Sequence, residues 1–580
     1  MEQKTSKFNE KIKEILDKTQ PGVRVCQETG EKFEIRKEDI EFYKMMLVPP
    51  PTIAPSTRIK LMFFYFDSDY LFERESALSG KKIITNIDPD SPFLVYDTDE
   101  WWSEKWDPLS YGVLYNPLRC FLEQWGELML SVPIYARRRD PLSVNSDWSI
   151  GGVQLKNNYM AYGGSQTEND INGFANIKGR DLIDTALTIE CEIGYELFEC
   201  KRCYQSFFLE NCEDCIECYF GFDLKNCESC FGCVNLRHKK YCFFNKQLTK
   251  EQYKDKIQQI NLGSRKELQF YKEKFEKFLK ENAIEVNLRM KNAENSVGDE
   301  LYNCTNCYNS SSVYNSQNIA YSYYAVSSHD AEVGIGINNC KNVFQSSATD
   351  SYEVKNSDLV FNANNVEYCY ACWNIENCFG CVGLRNKKFC ILNRQYAEEQ
   401  YWETIDGIKC DMLKRGEYGQ APPPKYSPFA YNVGITRYRY QMTKEEVVKM
   451  GGRWFEFKTA SATEGADASL LPDDIKDASP DIIGKRLLCA ETKRSYNIIK
   501  QEFDFYKKFN LPLPTTHWLV RRERLILVRW RSLEFYNSVC GRCGKEIIIR
   551  GTPEEQRAKK VCGDCCLKLV YDEESVIEQK

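Results

Sequence analysis

The stretch "CESCFGCVNLRHKKYC", residues 227–242, returns almost unchanged as "IENCFGCVGLRNKKFC", residues 375–390. Cys233 and Cys381, which occupy the same place in the two stretches, lie 148 residues apart. A polar segment of helix-forming composition follows each stretch. A phrase that recurs at a fixed offset, with similar sequence after it, indicates that one module has been duplicated.

Small or apolar residues occupy every third position through both copies. In the first copy the series runs from Cys200 to Cys242. In the second it runs from Cys304 to Cys390, with a slip of the frame after Ser346. A helix repeats every 3.6 residues and a strand every two, so neither explains this period of three. Stacked coils about a narrow axis do explain it, and they predict a parallel β-solenoid with very short strands. A packing like polyproline II is the alternative.

Cysteine in this pattern has an explanation that requires no reactivity. Its thiol is small and apolar enough to bury, and Ser, Ala, Gly and Val take the same positions across residues 304–366. Metal ligands would not tolerate that exchange, so most of these cysteines are interpreted as packing residues. Soft-metal binding by the most closely spaced groups and disulfide ladders are the alternatives. Those groups are Cys212, Cys215 and Cys218, and Cys227, Cys230 and Cys233.

The composition of the 580-residue chain bounds its class. The chain is too long for one ordinary core, and 42% hydrophobic residues with mixed charges are typical of a folded protein. Its net charge of -6 gives no general attraction to nucleic acid, so any such binding must be local. The 27 cysteines, without an apolar signal segment or a membrane-length stretch, indicate reduced thiols in the cytoplasm. With only three histidines, there are few candidates for a histidine base.

The segment "CGRCGKEIIIRGTPEEQRAKKVCGDCC", residues 540–566, contains two Cys-x-x-Cys pairs. Cys540 and Cys543 form the first, and Cys562 and Cys565 form the second after 18 intervening residues. Two such pairs at this spacing are typical of a zinc ribbon, in which four thiolates hold Zn²⁺ tetrahedrally. Four sulfur ligands leave no open position for water, so the pattern predicts one structural zinc ion.

The two ends of the chain also resemble each other. "CAETKRSYNIIKQEFDFYKKFNLPLPT", residues 489–515, matches "CQETGEKFEIRKEDIEFYKMMLVPPPT", residues 26–52, at an offset of 463. The ends are therefore interpreted as copies of one unit. Two hydroxyls and two carboxylates replace the four C-terminal cysteines in the N-terminal copy and suit zinc poorly, so this copy is expected to fold without metal. The four aligned residues are Ser76, Ser79, Asp97 and Glu100.

Several motifs carry a family resemblance that covers most of the chain. They are "CGKEI" followed by "VCGDC", "FYKKFNLPLPT", "WWSEKWDPLSYG", "CFGCVNLRHKKYC" and "KRGEYGQAPPPKYSPFAYN". With them the chain resembles an uncharacterised cysteine-rich zinc-ribbon family of candidate-phyla-radiation bacteria, some of whose members carry a CoA-transferase label. The resemblance implies zinc binding without a settled activity. No arrangement of residues in this chain indicates CoA transfer.

The stretch "HWLVRRERLILVRWRSLEFY", residues 517–536, interleaves arginines with aromatic side chains. Arginine contacts phosphate, and aromatic rings stack on bases. The stretch therefore predicts contact with RNA, DNA or a ribonucleoprotein, and a solvated basic face or a half-exposed strand is the alternative. The residues assigned to this contact are Arg521, Arg522, Arg524, Arg529, Arg531, Trp518 and Trp530.

The expected fold is mainly β with α: a duplicated cysteine-rich β-solenoid flanked by duplicated zinc-ribbon or treble-clef-like end units. The expected domains are a metal-free ribbon-like unit at 1–110, a first solenoid module at 111–247, a helical connector at 248–300, a second module at 301–395, a helix with an extended linker at 396–484, and a zinc-ribbon unit at 485–580.

The predicted function is that of a non-enzymatic, cytoplasmic zinc-binding scaffold that binds nucleic acid or a ribonucleoprotein through its basic C-terminal ribbon. The sequence contains no phosphate-binding loop, no Gly-x-Ser-x-Gly and no His-Glu-x-x-His motif, and no catalytic residue is assigned. The first alternative is an assembly protein that binds a protein partner or itself through the solenoid faces. The second is thiol-based metal or redox handling. No membrane partner is expected.

Overall fold

Parallel strands dominate the structure, a computed structural model that describes residues 4–457, 465–529 and 531–571. The protein is mixed α and β, with most strands in two large sheets. The chain divides into two compact units. Unit 1 contains the segment up to Arg137, residues 288–455 and residues 532–535; unit 2 contains residues 138–287, residues 456–531 and the segment from Tyr536 onward.

The N-terminal segment consists of helices and two-stranded sheets. Its elements are α1 (Ser6–Asp17), β1 (Gly22–Val25), β2 (Lys32–Ile35), α2 (Lys37–Met46), α3 (Pro55–Phe63), β3 (Phe72–Glu75), β4 (Lys82–Thr85), β5 (Val95–Tyr96), α4 (Thr98–Trp102), α5 (Phe121–Ser131) and β6 (Ile134–Tyr135). Helix α5 buries Phe121 and Trp125 in the core of unit 1, beside Phe379 and Tyr426. Residues 121–135 therefore belong with the N-terminal segment, and the repeat begins later than residue 111.

The first repeat region, residues 144–247, supplies the sheet of unit 2. Its strands are β7 (Glu168–Ile171), β8 (Arg180–Ile183), β9 (Glu192–Tyr195), β10 (Tyr204–Glu210), β11 (Tyr219–Phe222), β12 (Phe231–Val234), β13 (Cys242–Phe243) and β14 (Lys246–Gln247). Strands β7 to β13 pair in parallel with their neighbours in sequence order. Arg180 lies opposite Glu192, which lies opposite Tyr204, so successive parallel strands are offset by twelve residues.

A helical segment follows the first repeat region. It contains α6 (Lys250–Gln258), α7 (Arg265–Asn282) and the short strand β15 (Ile284–Val286). Thr249 caps α6 through its side chain and Ser264 caps α7, which satisfies amide groups at the two helix starts. Helix α7 buries Phe275 and Leu279 in a core that also contains Phe220 of β11.

The second repeat region, residues 290–395, supplies the sheet of unit 1. Its strands are β16 (Met290–Glu294), β17 (Val297–Thr305), β18 (Tyr308–Tyr314), β19 (Gln317–Ala320), β20 (Tyr323–Val326), β21 (His329–Glu332), β22 (Ile335–Asn338), β23 (Lys341–Phe344), β24 (Ala348–Thr349), β25 (Tyr352–Lys355), β26 (Asp358–Phe361), β27 (Asn364–Glu367), β28 (Tyr370–Phe379), β29 (Arg385–Ile391) and β30 (Arg394–Gln395). His329 lies opposite Lys341, twelve residues on, but Lys341 lies opposite Tyr352, eleven residues on. The shorter coil coincides with the slip in the sequence frame after Ser346.

A left-handed backbone residue at every third position explains the period. Through the first repeat region these residues run Gln154, Asn157, Met160 and onward in steps of three, and each except His238 and Phe244, which precede exposed residues, is followed by a buried or half-buried residue. Asn tolerates this conformation better than most residues do. Asn303 and Asn315 also hydrogen-bond each other across adjacent coils at 3.0 Å.

The inward-facing thiols and hydroxyls bond to the main chain of the coils. Cys203 Sγ donates to the carbonyls of Lys201 and Cys212 at 3.5 and 3.6 Å. Ser310 Oγ donates to the carbonyls of Tyr308 and Ile319 at 3.0 and 3.3 Å. Cysteine and serine are interchangeable here because both donate one hydrogen bond from a small buried side chain. The parallel strand pairing of these residues differs from polyproline II, which has no internal hydrogen bonds.

The remaining elements complete the two units. They are α8 (Glu398–Arg415), α9 (Lys444–Lys449), β31 (Ala466–Asp467), β32 (Leu487–Leu488), β33 (Ser495–Tyr496), α10 (Lys500–Lys508), α11 (Trp518–Leu527), β34 (Phe535–Val539), β35 (Glu546–Arg550), β36 (Lys559–Val561) and α12 (Gly563–Val570). Within the described ranges, no helix has both the length and the hydropathy that crossing a bilayer requires.

Candidate metal centre

The first Cys-x-x-Cys pair lies in the turn between β34 and β35. The amide of Cys540 donates to the Lys545 carbonyl at 2.8 Å, and the amide of Gly544 donates to the Cys540 carbonyl at 3.0 Å. Gly544 has a φ of 74°, a left-handed conformation that glycine adopts without steric cost. This tight turn points the Cys540 thiol inward, where it is 2% exposed, and leaves Cys543 at the surface.

The second pair lies at the start of α12, directly after β36. Cys562 is the N-cap residue of this helix, and Cys565 lies in its first turn. The Cys562 amide donates to Cys540 Sγ at 3.3 Å, which ties the helix start to the turn. A helix N-terminus favours negative charge because its free amides and its dipole both point at the ligand.

The four cysteines form one cluster. Their Sγ atoms all lie within 4.8 Å of one another, and those of Cys543 and Cys562 are 3.8 Å apart. Four sulfurs at the Zn–S length of about 2.3 Å in a tetrahedron are separated by about 3.8 Å. The cluster therefore has the dimensions of a four-sulfur metal site, and among the described residues no other such group of ligands comes together.

The surroundings favour ionisation of the innermost thiol. Burial opposes the charge on Cys540, but hydrogen bonds from the amides of Cys543, Cys562 and Arg542 outweigh it and lower its pKa to about 6. Burial raises the pKa of Cys565 to about 12, with the sulfurs of Cys562, Cys543 and Cys540 adding to the effect. Unlike Cys540, Cys565 needs a cation beside it to lose its proton near neutral pH.

The cluster is attached to the body of unit 2. Strand β36 pairs in parallel with β15, with Val561 opposite Val286. Asn235 of the first repeat region exchanges two hydrogen bonds with the main chain of Ile284. One strand pairing and the side chain of Asn235 thus connect the segment that carries the cysteine cluster to the first repeat region, and Arg557 adds an ion pair with Glu210.

The N-terminal copy brings its aligned residues together as well. Ser76 Oγ donates to Glu100 Oε2 at 2.5 Å. The amide of Asp97 donates to Ser76 Oγ at 3.3 Å, the counterpart of the bond from Cys562 to Cys540. Three of the four aligned residues, Ser76, Asp97 and Glu100, therefore lie within hydrogen-bonding distance of one another through Ser76.

The arginines assigned to nucleic acid lie mostly inside unit 2. Arg521 bonds to Asp184 at 2.7 Å and to Glu502 at 2.9 Å, and its side chain is 10% exposed. Arg531 forms two bonds to Glu285, at 2.9 and 2.6 Å. Because both arginines already have buried carboxylate partners, they do not form the exposed basic face that the sequence predicted.

The other residues of that stretch lead to the same correction. Arg522 is 1% exposed and donates to a main-chain carbonyl, and Arg529 pairs with Glu210 at 3.1 Å. Arg524 is exposed and pairs with Glu491. Trp518 is half-buried on α11, with Arg522 over its ring, and Trp530 lies outside the described residues. The stretch is a helix, not a strand, because α11 buries Leu519, Arg522, Leu525 and Ile526 on one side.

The carboxylates that hold these arginines were missed in the sequence. Asp184 and Glu210 belong to the first repeat region, and Glu285 to β15. Asp184 and Arg521 are 337 positions apart, and the alternation of small and polar residues does not single out this acid. Its position is the one available sign that Asp184 has a structural role. Asp184 has a left-handed backbone conformation and directly precedes an inward-facing residue.

Comparison with known proteins assigns no family to this chain. No protein-family profile and no curated protein matches it. One matching solved structure is described as a "putative acetyltransferase" from Desulfovibrio desulfuricans G20, with a TM-score of 0.11 and 8% sequence identity. The match covers 39% of this chain and 63% of that one.

Proposed function

We propose that the protein is a non-enzymatic, intracellular scaffold whose C-terminal end is held together by one structural zinc ion. The observation that carries this proposal is the cluster of four cysteine sulfurs within 4.8 Å of one another. Zinc is the metal that such four-thiolate sites usually hold, and a closed site leaves no position for a substrate. The site therefore stabilises a surface and takes no part in a reaction.

The body of the scaffold is proposed to be two β-solenoids. Parallel pairing at an offset of twelve, a left-handed residue every third position and a line of small buried side chains support this architecture. Each coil then has four short sides of three residues. Each coil of a solenoid buries only the surface that the neighbouring coils cover. The outer faces therefore form an extended exposed surface that is suited to binding.

The cysteine count supports an intracellular location. The chain has 27 cysteines, an odd number that cannot all pair in disulfides within one chain. Chains with many unpaired thiols are typical of the cytosol, where thiols stay reduced.

Metal analysis of the purified protein tests the zinc proposal. We expect one zinc per chain, and loss of that zinc in a Cys540→Ser, Cys562→Ser double variant. Cys410→Ser is the matched control, because Cys410 is half-buried on α8 and should leave the metal in place. A wild-type protein that binds no metal, or that holds iron or several soft metals, would contradict the proposal.

Nucleic-acid binding is proposed for a different face than the sequence indicated. Four exposed cationic side chains lie around the cysteine cluster: Arg542, Lys545, Lys559 and Lys568. No ion pair is described for them. A Lys545→Glu, Lys559→Glu variant should weaken RNA binding and flatten its salt dependence. Arg524→Glu is the control. If the protein does not bind RNA, or if Arg524→Glu weakens RNA binding as much as the double variant does, the proposal of nucleic-acid binding fails.

Assembly through the repeat faces would then be the better proposal. Light scattering of the purified protein would test it by measuring self-association.

A further inference from the structure

The turn that holds Cys540 occurs at three other places in the chain. In each, the amide of the first residue donates to the carbonyl five positions on, and the amide four positions on donates back to the first carbonyl. For Cys26 these bonds are 2.8 and 2.9 Å, for Ser76 both are 2.8 Å, and for Cys489 they are 2.9 and 3.0 Å. The residues with positive φ at the fifth position are Gly30, Gly80, Lys493 and Gly544.

The helix that follows each turn is attached in the same way. The residue after the first turn position donates its amide to the carbonyl two residues before the helix N-cap. These bonds are Gln27 to Thr52 at 3.0 Å, Ala77 to Val95 at 2.8 Å, Ala490 to Thr515 at 3.0 Å and Gly541 to Lys560 at 2.8 Å. The four helices are α3, α4, α11 and α12.

Four positions in each element therefore correspond to the four metal ligands. The first two lie three residues apart in the turn, and the last two lie three residues apart at the helix start. The sets are Cys26, Thr29, Ala54 and Thr57; Ser76, Ser79, Asp97 and Glu100; Cys489, Thr492, His517 and Val520; and Cys540, Cys543, Cys562 and Cys565. In every set the first residue is buried and the second is exposed.

We infer that the chain contains four copies of one metal-binding element, and that in the second copy a hydrogen-bonded pair, Ser76 and Glu100, fills the position of the ion. The end units are thus each internally duplicated, a relationship that the sequence comparison of the two ends does not reveal. The inference stands on main-chain geometry and does not depend on the identity of the metal in the fourth copy.

The second copy shows how side chains take over the role of the ion. The Glu100 carboxylate, in the first turn of α4, accepts a hydrogen bond from the Ser76 hydroxyl of the turn at 2.5 Å. It therefore ties the helix start to the turn, as four sulfurs around a cation would. In the first copy the tie is weaker, a contact of 4.0 Å from Cys26 Sγ to Thr57 Oγ1. In the third, the Thr492 amide donates to Cys489 Sγ at 3.5 Å, a bond that lies within the turn.

Restoring the ligands tests the inference. A Ser76→Cys, Ser79→Cys, Asp97→Cys, Glu100→Cys variant should bind one more equivalent of Zn²⁺ or Co²⁺ than wild type, with cobalt–thiolate absorption rising in proportion. The matched control places four cysteines at exposed neighbouring positions: Ala77→Cys, Leu78→Cys, Lys81→Cys and Asp99→Cys. This control should bind no more metal than wild type.

A second variant covers the third copy independently. Thr492→Cys with Val520→Cys should complete a site that already contains Cys489 and His517, and should again add one equivalent. Folded variants that gain no metal, or a control that gains as much, would overturn the inference. Failure of both variants to fold would also count against it, since equivalent elements should accept the thiols that the fourth copy carries. A wild-type protein that binds no metal would refute the zinc proposal but not this inference. The test of this inference measures only the metal that a variant binds in addition to the wild type.

Discussion

The main-chain amide of Cys203 donates a hydrogen bond to the sulfur of Cys191, twelve residues earlier, at 3.5 Å. The Cys191 thiol in turn donates to the carbonyls of Ile189 and Cys200 at 3.6 and 3.4 Å. One buried thiol thus connects two coils of the first repeat region as both donor and acceptor. Ser310 makes the same three kinds of contact in the second region, where it accepts from the Ser322 amide at 3.1 Å.

Two substitutions of Cys191 distinguish the contribution of its hydrogen bonds to stability from the contribution of its packing. Cys191→Ser should change the free energy of unfolding of unit 2 by less than about 1 kcal/mol, because the hydroxyl keeps the same partners. Cys191→Ala should cost about 1–3 kcal/mol, because it removes those bonds and leaves a small cavity. Urea unfolding followed by circular dichroism measures both changes.

The reverse exchange in the second region is the matched control. Ser310→Cys should be tolerated, and Ser310→Ala should be as costly as Cys191→Ala. Equal costs for serine and alanine at position 191 would show that the thiol acts through its volume alone.

Much of the repeat could be predicted from the sequence, because the period of three is visible in residue size. Cys200, Cys203 and Cys212 are small, spaced by multiples of three, and buried as expected. The number of residues per coil could not be predicted, because it depends on which main-chain groups meet. Pairing of Arg180 with Glu192 sets it at twelve, and three, six or nine would fit the same pattern of residue sizes.

The environment of the basic stretch, residues 521–531, could not be predicted from the sequence. The sequence reveals five positive charges between residues 521 and 531, but it does not reveal that buried carboxylates lie beside most of them. Arg521 and Asp184 become neighbours only when the C-terminal segment packs on the first repeat region. Such pairs depend on tertiary structure, so local charge alone predicts an exposed face where the structure has a buried one.

Arg521 and Arg524, three residues apart on α11, should respond very differently to substitution. Arg521→Met leaves Asp184 and Glu502 buried without their cation, which should cost about 3–5 kcal/mol of stability. Arg524→Met removes an exposed pair and should cost less than about 1 kcal/mol. Urea unfolding of the two variants provides the comparison. Equal costs would contradict the burial of Arg521, and RNA titrations should show no larger effect for Arg521→Met than for Arg524→Met.

The buried carboxylate Glu367 should make the stability of unit 1 depend on pH in acid. Burial opposes its charge, but Lys355 and Lys409 hold its pKa at about 2, below the ordinary 4.5, and Tyr418 donates to it at 2.8 Å. Because the folded-state pKa is depressed, the stabilisation is present above pH 4.5 and is lost as the pH falls towards 2. The loss should approach roughly 3 kcal/mol.

Glu367→Gln provides the test of that pH dependence. The variant should be less stable than wild type at pH 7, because two buried lysines lose their counter-charge. The difference between the two proteins should shrink between pH 4.5 and 2, as wild-type Glu367 takes up its proton. A difference that stays constant over this range would show that the carboxylate is not ionised in the folded protein.

Removal of the metal should open the C-terminal element and leave the repeats closed. On the zinc proposal, removing the ion leaves the buried sulfurs of Cys540, Cys562 and Cys565 without the contact that would hold α12 against the turn. We expect a chelator to make the four cluster thiols reactive towards a thiol reagent under native conditions. The repeat thiols, such as Cys215 and Cys372, are fully buried and should stay unreactive. The Ser76–Glu100 cluster holds its element without metal, so tryptophan fluorescence from Trp101 and Trp106 in unit 1 should not change. Repeat thiols of unit 2, such as Cys215, that react together with the cluster would show that the metal stabilises the whole of unit 2.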